Sequence, residues 1–215
     1  MKILIDTIEA ITETDLLDKP EYVTDERWEK VLRIRPLEDK KRSLLAGKLL
    51  HQMCEECGVK KPVYGIVESG KPVLSSHLQI AFSLSHSGEY VMLVYMENAK
   101  AVGVDIQQIR VVSEGVKKRI LHEKEWMYFQ NEGEQKDVSM KETDVILIEK
   151  NRLLNRIWAI KESYVKMTGE GLSHDFRKLC IDFKEGTVTD EKGKQVCYEE
   201  VEAPEGYVAA VTMDK

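Results

Sequence analysis

The sequence predicts an α/β (α+β) protein built from two pseudo-symmetric halves, each a small sheet packed on a long helix. Two segments, 36–57 and 146–169, carry apolar residues at helical spacing, and each is followed by short strand-like segments separated by turn residues. Residues 88–94 also resemble residues 205–211, with Gly-Glu-Tyr-Val-Met-Leu-Val against Glu-Gly-Tyr-Val-Ala-Ala-Val. A repeated unit of helix and strands accounts for both observations.

The first long helix has recognisable ends, because Pro36 suits a first helical turn and Gly58 suits a stop. The remaining segments are assigned from apolar periodicity and turn residues. Further helices are predicted at 23–30 and 115–128, strands at 2–8, 63–67, 80–84, 90–96, 101–106, 180–183, 195–201 and 207–213, and loops at 68–72 and 131–144.

The charge balance argues against a nucleic-acid partner. The chain of 215 residues holds 32 Lys and Arg against 38 Asp and Glu, a net charge of -6, whereas nucleic-acid-binding surfaces are basic. No apolar run approaches the roughly 18 residues that span a membrane, and residues 1–10 lack the pattern of a signal peptide. We therefore expect a cytoplasmic protein with neither a nucleic-acid nor a membrane partner.

Four cysteines are present, and Cys54 and Cys57 form a C-x-x-C pair. Such pairs occur in redox dithiols and in zinc sites. Here the pair ends a helical pattern, two glutamates between the thiols oppose thiolate formation, and the sequence holds no second pair. A structural or incidental role is favoured, and a redox protein is the alternative.

The segment Gly103–Gln107 places a carboxylate on a predicted strand. Because strand side chains alternate, Asp105 and Gln107 share one face, opposite to Val104 and Ile106. A carboxylate at the end of a buried strand is costly unless it is paired or binds a metal. The residues alone leave capping, an ion pair and metal binding open.

Glu162 and Lys166 lie four residues apart, so they share one face of the second long helix. Taken alone, this spacing favours a solvated ion pair. The segment Ser85-His86-Ser87 runs from a strand into a polar turn, which the hydroxyls would stabilise. A serine-histidine hydrolase is disfavoured, because the two residues are adjacent and the G-x-S-x-G elbow is absent.

Basic residues crowd the N-terminal half, which suits either a solvated helix surface or a site for a multiply phosphorylated ligand. Neither a P-loop nor a G-x-G-x-x-G segment is present, so a standard nucleotide-binding fold is not indicated. The basic residues are Arg27, Lys30, Arg33, Arg35, Lys40, Lys41, Arg42 and Lys71.

The order and spacing of these segments resemble the signature of the Sfp-type 4′-phosphopantetheinyl transferases. The most specific part is W-x-x-K-E-S-x-x-K, from Trp158 to Lys166. The other matching segments are Glu38 to Leu45, Gly70-Lys71-Pro72, Ser85-His86-Ser87, Gly103-Val104-Asp105 and Gly169-Glu170-Gly171-Leu172, so the likeness runs from about Arg27 to Leu172.

This resemblance implies two similar α/β halves with coenzyme A bound in the cleft between them. Residues 1–100 would contact the nucleotide and its phosphates, and residues 101–215 would hold the metal site and the carrier-protein contacts. The implied reaction moves the 4′-phosphopantetheine group of coenzyme A to a serine of an apo acyl or peptidyl carrier protein and releases 3′,5′-ADP. One chain carries both halves, so we expect a monomer. The alternative is a coenzyme A-binding module that has lost transfer.

The resemblance also implies site residues. Asp105 and Glu162 would bind Mg²⁺, or Mn²⁺ in its place, as hard oxygen ligands do. Many relatives carry an acidic residue where this chain has Gln107, so metal affinity is in question although the amide could still act as a ligand. Glu162, directly or through a water on the metal, is the candidate general base, and Lys166 would offset transition-state charge. Coenzyme A contacts are implied for Arg27, Lys30, Arg42, Ser43, Lys71, Ser85, His86, Lys161 and Lys166.

The carrier protein is expected to contact the segment from Val116 to Tyr128 and the loop at 131–144. The segment is basic at its start and then carries Trp126 and Met127, and carriers of this type are acidic around the modified serine. The alternative is a solvated helix followed by an inserted loop.

Overall fold

The computed structural model describes residues 1–68, 70–131, 140–171 and 174–214. In the first half, a strand and three helices precede four further strands. These elements are β1 (Lys2–Thr7), α1 (Glu13–Leu17), α2 (Asp25–Arg33), α3 (Leu37–Glu56), β2 (Tyr64–Ile66), β3 (Pro72–Leu74), β4 (Ile80–Ser87) and β5 (Tyr90–Glu97).

The second half begins with a strand that carries Asp105 and continues through three helices to a group of short strands. The last helix is the longest described element, and it packs against the first and last strands of this half. These elements are β6 (Ala101–Gln108), α4 (Glu114–Ile120), α5 (Glu123–Asn131), α6 (Met140–Thr168), β7 (Cys180–Asp182), β8 (Thr187–Thr189), β9 (Gln195–Val201) and β10 (Tyr207–Asp214).

Each half has its own antiparallel sheet. The first sheet has the strand order β1-β5-β4 and the second has the order β6-β10-β9-β8-β7, while β2 and β3 form a separate hairpin. The mixed helix and sheet content confirms the predicted fold class. The two sheets separate between Glu97 and Ala101, and the division into domains 1–100 and 101–215 stays a prediction.

Three apolar clusters hold these layers together. One lies between α3 and the first sheet, and a second lies between α6 and the second sheet. The third joins the halves, because Met92 and Val94 of β5 pack against Val104 and Ile106 of β6 and Val211 of β10. The face of the first sheet that points away from α3 is therefore also buried.

Both long helices predicted from periodicity are present, although their ends differ. The first begins at Leu37, one residue after Pro36. The second begins at Met140 rather than near residue 146, so the predicted loop is wrong for 140–144. Residues 132–139 of the predicted loop lie outside the described residues.

The single helix predicted at 115–128 is wrong, because the chain forms α4 and α5 with a break at Leu121 and His122. The carboxylate of Glu125 accepts a hydrogen bond from the backbone N–H of His122 (2.8 Å), which caps the start of α5. The strands β3 and β8 were not predicted. Each has three residues, too few for a periodic pattern to be recognised.

Gly103 allows α6 to lie directly against β6. A Cβ atom on Gly103 would lie 2.0 Å from the carbonyl oxygen of Ser163 and 2.4 Å from the backbone nitrogen of Met167. Both neighbours are backbone atoms of α6, so a larger residue can be accommodated only if the helix moves. The site described below depends on this close approach.

We expect Gly103→Ala to lower the free energy of unfolding by about 3 kcal/mol, the upper end of the usual cost of overpacking. Urea denaturation measures this. Gly115→Ala is the matched control, because nothing lies within 4 Å of a Cβ placed at that exposed helical position. A Gly103→Ala protein as stable as the Gly115→Ala protein would contradict the close packing.

None of the described helices is both long and apolar enough to cross a membrane.

Candidate active site

Asp105 is the centre of a buried polar cluster between the two halves. Its carboxylate is almost fully buried, at 2% exposure. One oxygen, Oδ1, accepts hydrogen bonds from the hydroxyl of Ser85 (2.7 Å) and the ammonium of Lys166 (2.6 Å). The other, Oδ2, accepts one from the side-chain amide of Gln107 (2.8 Å). This last contact agrees with the prediction that Asp105 and Gln107 share a face.

Glu162 and Lys166 reach this cluster from α6. Glu162 is 5% exposed, and the ammonium of Lys166 contacts both Asp105 and Ser85 (2.8 Å). The solvated ion pair that the spacing alone favours is therefore wrong. The helical spacing instead places a carboxylate and an ammonium one turn apart, both facing β6.

Glu162 lies in an environment that disfavours its charge. Burial and the negative charge of Asp105 raise the pKa of Glu162 to about 7, and the positive charge of Lys166 opposes this rise. Among the residues that the structure describes, the two buried carboxylates thus lie near one ammonium, that of Lys166. The cluster would gain electrostatic stabilisation from one more cation.

These residues fit a divalent metal ion. Mg²⁺ is commonly bound by one or two carboxylates together with substrate phosphates, and Asp105 and Glu162 supply two carboxylates with unbalanced charge. Across the described ranges, no group of three or more His, Cys, Asp or Glu side chains could hold a metal. Gln107 directs its amide nitrogen at Asp105, so its predicted role as a ligand stays a prediction.

Ser85 is the part of the cluster that belongs to the first half, and His86 and Arg42 lie near it. Arg42 donates to the carbonyl oxygen of Gly88 (2.6 Å) and forms an ion pair with Asp39. Partial burial and the nearby positive charges of Arg42 and Lys166 lower the pKa of His86. The hydroxyl proton of Ser85 points to Asp105 rather than to His86, which is not the nucleophile-base arrangement of a hydrolase.

The other residues of the first half that are predicted to contact coenzyme A lie elsewhere in that half. The ammonium of Lys71 donates to the carbonyl oxygens of Val102 (2.9 Å) and Met167 (3.0 Å), and burial lowers its pKa to about 8. Arg27 donates to the backbone carbonyl of Ser43 (3.2 Å). Lys30 is exposed on α2. Contacts with coenzyme A stay predictions for Lys71, Arg27, Ser43 and Lys30.

Lys161 does not reach the cluster, and its contact with coenzyme A stays a prediction. Its side chain is fully buried, and the ammonium donates to the carboxylate of Glu125 (2.6 Å) and to the carbonyl oxygens of Ile120 (2.7 Å) and Phe176 (3.1 Å). An ammonium has three N–H donors, so none is left for a phosphate. The physical reason is helical phase, since Lys161 points about 100° away from Glu162.

Glu125 was missed at the sequence level. Its carboxylate binds Lys161 and accepts hydrogen bonds from the backbone N–H groups of His122 and Ile181 (3.1 Å). It therefore ties α5, α6 and β7 together. No local pattern reveals this role, because the partners lie 36 and 56 residues away along the chain.

Two cavities flank α6. The smaller, of about 410 Å³, is lined by Glu162 together with Trp158, Arg119, His174 and Phe176, so it adjoins the cluster. The larger, of about 1480 Å³, lies against residues of α5, α6 and the second sheet and does not include Asp105, Glu162 or Lys166. We place the chemistry at the cluster, because the buried charges are there.

The C-x-x-C pair lies at the end of α3, away from these charges. Cys54 is buried, and all four cysteines are free thiols. Burial and the negative charge of Glu97 raise the pKa of Cys57. A raised pKa disfavours the reactive thiolate, which favours the structural interpretation over a redox site.

Residues 101–212, which carry Asp105, Glu162 and Lys166, match the family model of the 4′-phosphopantetheinyl transferase superfamily. The chain belongs to this superfamily. It is 30% identical over 164 residues to the 4′-phosphopantetheinyl transferase ffp of Bacillus subtilis, an alignment that covers 75% of this chain and 66% of that protein. It is 26% identical over 197 residues to the 4′-phosphopantetheinyl transferase Sfp of B. subtilis strain 168, covering 88% of this chain and 81% of that protein.

A human relative, the L-aminoadipate-semialdehyde dehydrogenase-phosphopantetheinyl transferase, is 28% identical over 174 residues. That alignment covers 68% of this chain but only 51% of the human protein. The chain thus spans about two thirds of the length of ffp, 81% of the length of Sfp and about half of the length of the human relative.

Proposed function

We propose that this protein transfers the 4′-phosphopantetheine group of coenzyme A to a serine of an apo acyl or peptidyl carrier protein, releasing 3′,5′-ADP. The observation that carries the proposal is the buried cluster of Asp105, Glu162 and Lys166 within the segment that matches the superfamily model. Curated relatives that align with most of this chain are named 4′-phosphopantetheinyl transferases.

Asp105 and Glu162 would hold the divalent cation, with Mg²⁺ as our choice and Mn²⁺ as a substitute. When bound, such an ion polarises phosphate oxygens and offsets their charge. Phosphoryl transfer depends mainly on positioning and on neutralising charge on these oxygens. The ammonium of Lys166 lies 2.6 Å from the carboxylate of Asp105. It would therefore contact a phosphate oxygen beside the two carboxylates.

The first half would hold the nucleotide. Arg42 and His86 lie close enough for the charge of Arg42 to lower the pKa of His86, so together they offer donors to an anionic group. Ser85 precedes His86 on β4 and donates its hydroxyl proton to Asp105. We place the coenzyme's phosphates between Asp105 and the side chains of Arg42 and His86, with Arg27, Lys30, Ser43 and Lys71 further out.

Glu162 is the proposed general base that takes the proton of the carrier's serine as its oxygen attacks phosphorus. The cavity beside Glu162 gives the serine a route to it. The bond from phosphorus to the nucleotide's phosphate breaks, and 3′,5′-ADP leaves.

The carrier protein is proposed to bind near α4 and α5. Lys117, Lys118 and Arg119 give the end of α4 a positive charge, and Met127 is exposed on α5. This combination suits an acidic surface with an apolar centre. The predicted contact at 131–144 falls largely outside the described residues.

Mass spectrometry of an apo carrier protein tests the proposal. The protein is mixed with coenzyme A, MgCl₂ and the carrier, and we expect the carrier to gain the mass of one phosphopantetheine group. Omission of the metal, or addition of EDTA, is the control and should prevent the gain. Failure with fatty-acid, polyketide and nonribosomal-peptide carriers, despite measurable coenzyme A binding, would contradict transfer and favour a binding module.

Gln107→Glu should strengthen metal binding, because it adds a third carboxylate beside Asp105 and Glu162. We expect the MgCl₂ concentration for half-maximal transfer to fall about tenfold, since a carboxylate is a better ligand for this ion than an amide. Titration of activity with MgCl₂ measures it. Gln108→Glu is the control, because Gln108 instead binds Arg110, and equal responses of both variants would argue against Gln107 facing the metal.

A further inference from the structure

Three serines on β4 face the edge of β6 at a constant spacing. The hydroxyl oxygens of Ser83, Ser85 and Ser87 accept hydrogen bonds from the backbone N–H groups of residues 104, 106 and 108. The three N···O distances are 3.1, 3.3 and 3.0 Å, and each pair is separated by 21 residues. We call these three contacts the serine ladder.

The position of the ladder follows from strand geometry. Among the described strands, β4 and β6 each lie at the edge of a sheet. Alternate residues of β4, Phe82 and Leu84, point into the core beneath α3, so the serines point the other way, towards the second half. There they provide the acceptors that the N–H groups at the edge of β6 would otherwise lack.

Ser85 connects the serine ladder to the buried polar cluster around Asp105. Its oxygen accepts from the N–H of Ile106 and from the ammonium of Lys166, and its own proton goes to Asp105. A hydroxyl has one donor and two acceptor positions, so all of them are used. Any shift of β6 along β4 must break at least one of these bonds.

We propose that Ser83 and Ser87 are positioning residues that hold β6 in the register required for cation binding. Asp105 lies between the ladder contacts of Ser83 and Ser85, and Gln107 lies between those of Ser85 and Ser87. Ser83 and Ser87 themselves bind backbone and take no part in the chemistry. This inference rests on the proposed function, because it assigns the cluster to a metal ion.

The test is the MgCl₂-dependent rise in melting temperature, which does not require transfer. We expect Ser83→Ala and Ser87→Ala to raise the MgCl₂ concentration at half of the maximal rise by about tenfold each. Ser83→Ala leaves the buried N–H of Val104 without its partner, and Ser87→Ala does the same to the part-buried N–H of Gln108. Ser87→Thr keeps the hydroxyl and should restore the wild-type value. In transfer assays the same variants should change the half-saturating MgCl₂ more than the KM for coenzyme A.

Ser76→Ala is the matched control. The hydroxyl of Ser76 accepts a hydrogen bond from the backbone N–H of Val63 (3.1 Å) in an exposed contact that involves no residue of the cluster, so its loss should leave the MgCl₂ response unchanged. If Ser83→Ala does not fold, the half-buried Ser87 still provides the test through Ser87→Ala and Ser87→Thr.

The inference is wrong if folded Ser87→Ala protein has the wild-type response to MgCl₂, or if Ser76→Ala weakens it equally. It is also wrong if neither MgCl₂ nor MnCl₂ changes the wild-type melting temperature. The proposed function fails separately. If MgCl₂ stabilises the wild-type protein and the ladder variants weaken this response, but no carrier is modified, the inference stands and the proposed transfer is wrong.

Discussion

Glu162→Gln and Asp105→Asn are each expected to reduce phosphopantetheine transfer by at least about 100-fold, a typical loss when one preorganised electrostatic group is removed from an active site. Both substitutions keep the size of the side chain and remove one negative charge. In the proposed function, this charge binds the cation and, at Glu162, accepts the proton of the serine. The mass of the carrier protein, followed over time, measures the rate.

The fold of the Glu162→Gln variant should survive, so this variant separates an effect on chemistry from an effect on stability. Glu162 is buried beside Asp105, so removing one of the two charges relieves repulsion in the metal-free protein. We therefore expect Glu162→Gln to be at least as stable as the wild type without metal, and to lose most of the stabilisation that MgCl₂ provides.

Glu29→Gln is the control for the carboxylate change, because Glu29 is exposed on α2 and pairs only loosely with Arg33 (3.6 Å). It should transfer at the wild-type rate. Transfer by Glu162→Gln at more than a tenth of that rate would remove Glu162 as both ligand and base, and would place the base elsewhere in the cavity.

Lys161→Met is expected to lower the free energy of unfolding by about 3–5 kcal/mol, the usual cost of removing one partner from a buried ion pair. Lys161 is completely buried, and the side chain of Glu125 is 4% exposed. The substitution leaves the charge of Glu125 without its counterion and two carbonyl oxygens without their donor. Urea denaturation measures the loss.

Lys166→Met is the matched comparison within the same nine-residue segment. Lys166 is partly exposed, at 30% of its side chain, so we expect a smaller loss of stability and a large loss of transfer. The double variant Lys161→Met with Glu125→Leu should recover part of the stability, because it removes both charges. If Lys161→Met is as stable as the wild type but binds coenzyme A more weakly, the structural role is wrong and the phosphate contact predicted from the resemblance is right.

The contrast between Lys161 and Lys166 shows where sequence reasoning reaches its limit. Both lysines belong to the most specific motif, and the resemblance implied coenzyme A contacts for both. A motif records which residue types occur, and it does not say which of them face a ligand. Only the packing of α6 against α4, α5 and β6 shows that Lys161 pairs with Glu125 and Lys166 with Asp105.

Local regularity made much of the candidate site predictable. The alternation of strand side chains placed Asp105 and Gln107 on one face, and helical spacing placed Glu162 and Lys166 on another. Both long helices were predictable for the same reason. These features depend on backbone geometry that repeats within a few residues, so the sequence by itself determined them.

Tertiary structure alone decided the partners. Asp105 and Lys166 are 61 residues apart, Lys161 and Glu125 are 36 apart, and the serine ladder joins residues 21 apart. The alternating serines were visible in the sequence. Nothing local showed that their hydroxyl oxygens would accept hydrogen bonds from the backbone N–H groups of β6. Such contacts depend on how separate elements pack, and that packing is set by the whole core rather than by any short segment.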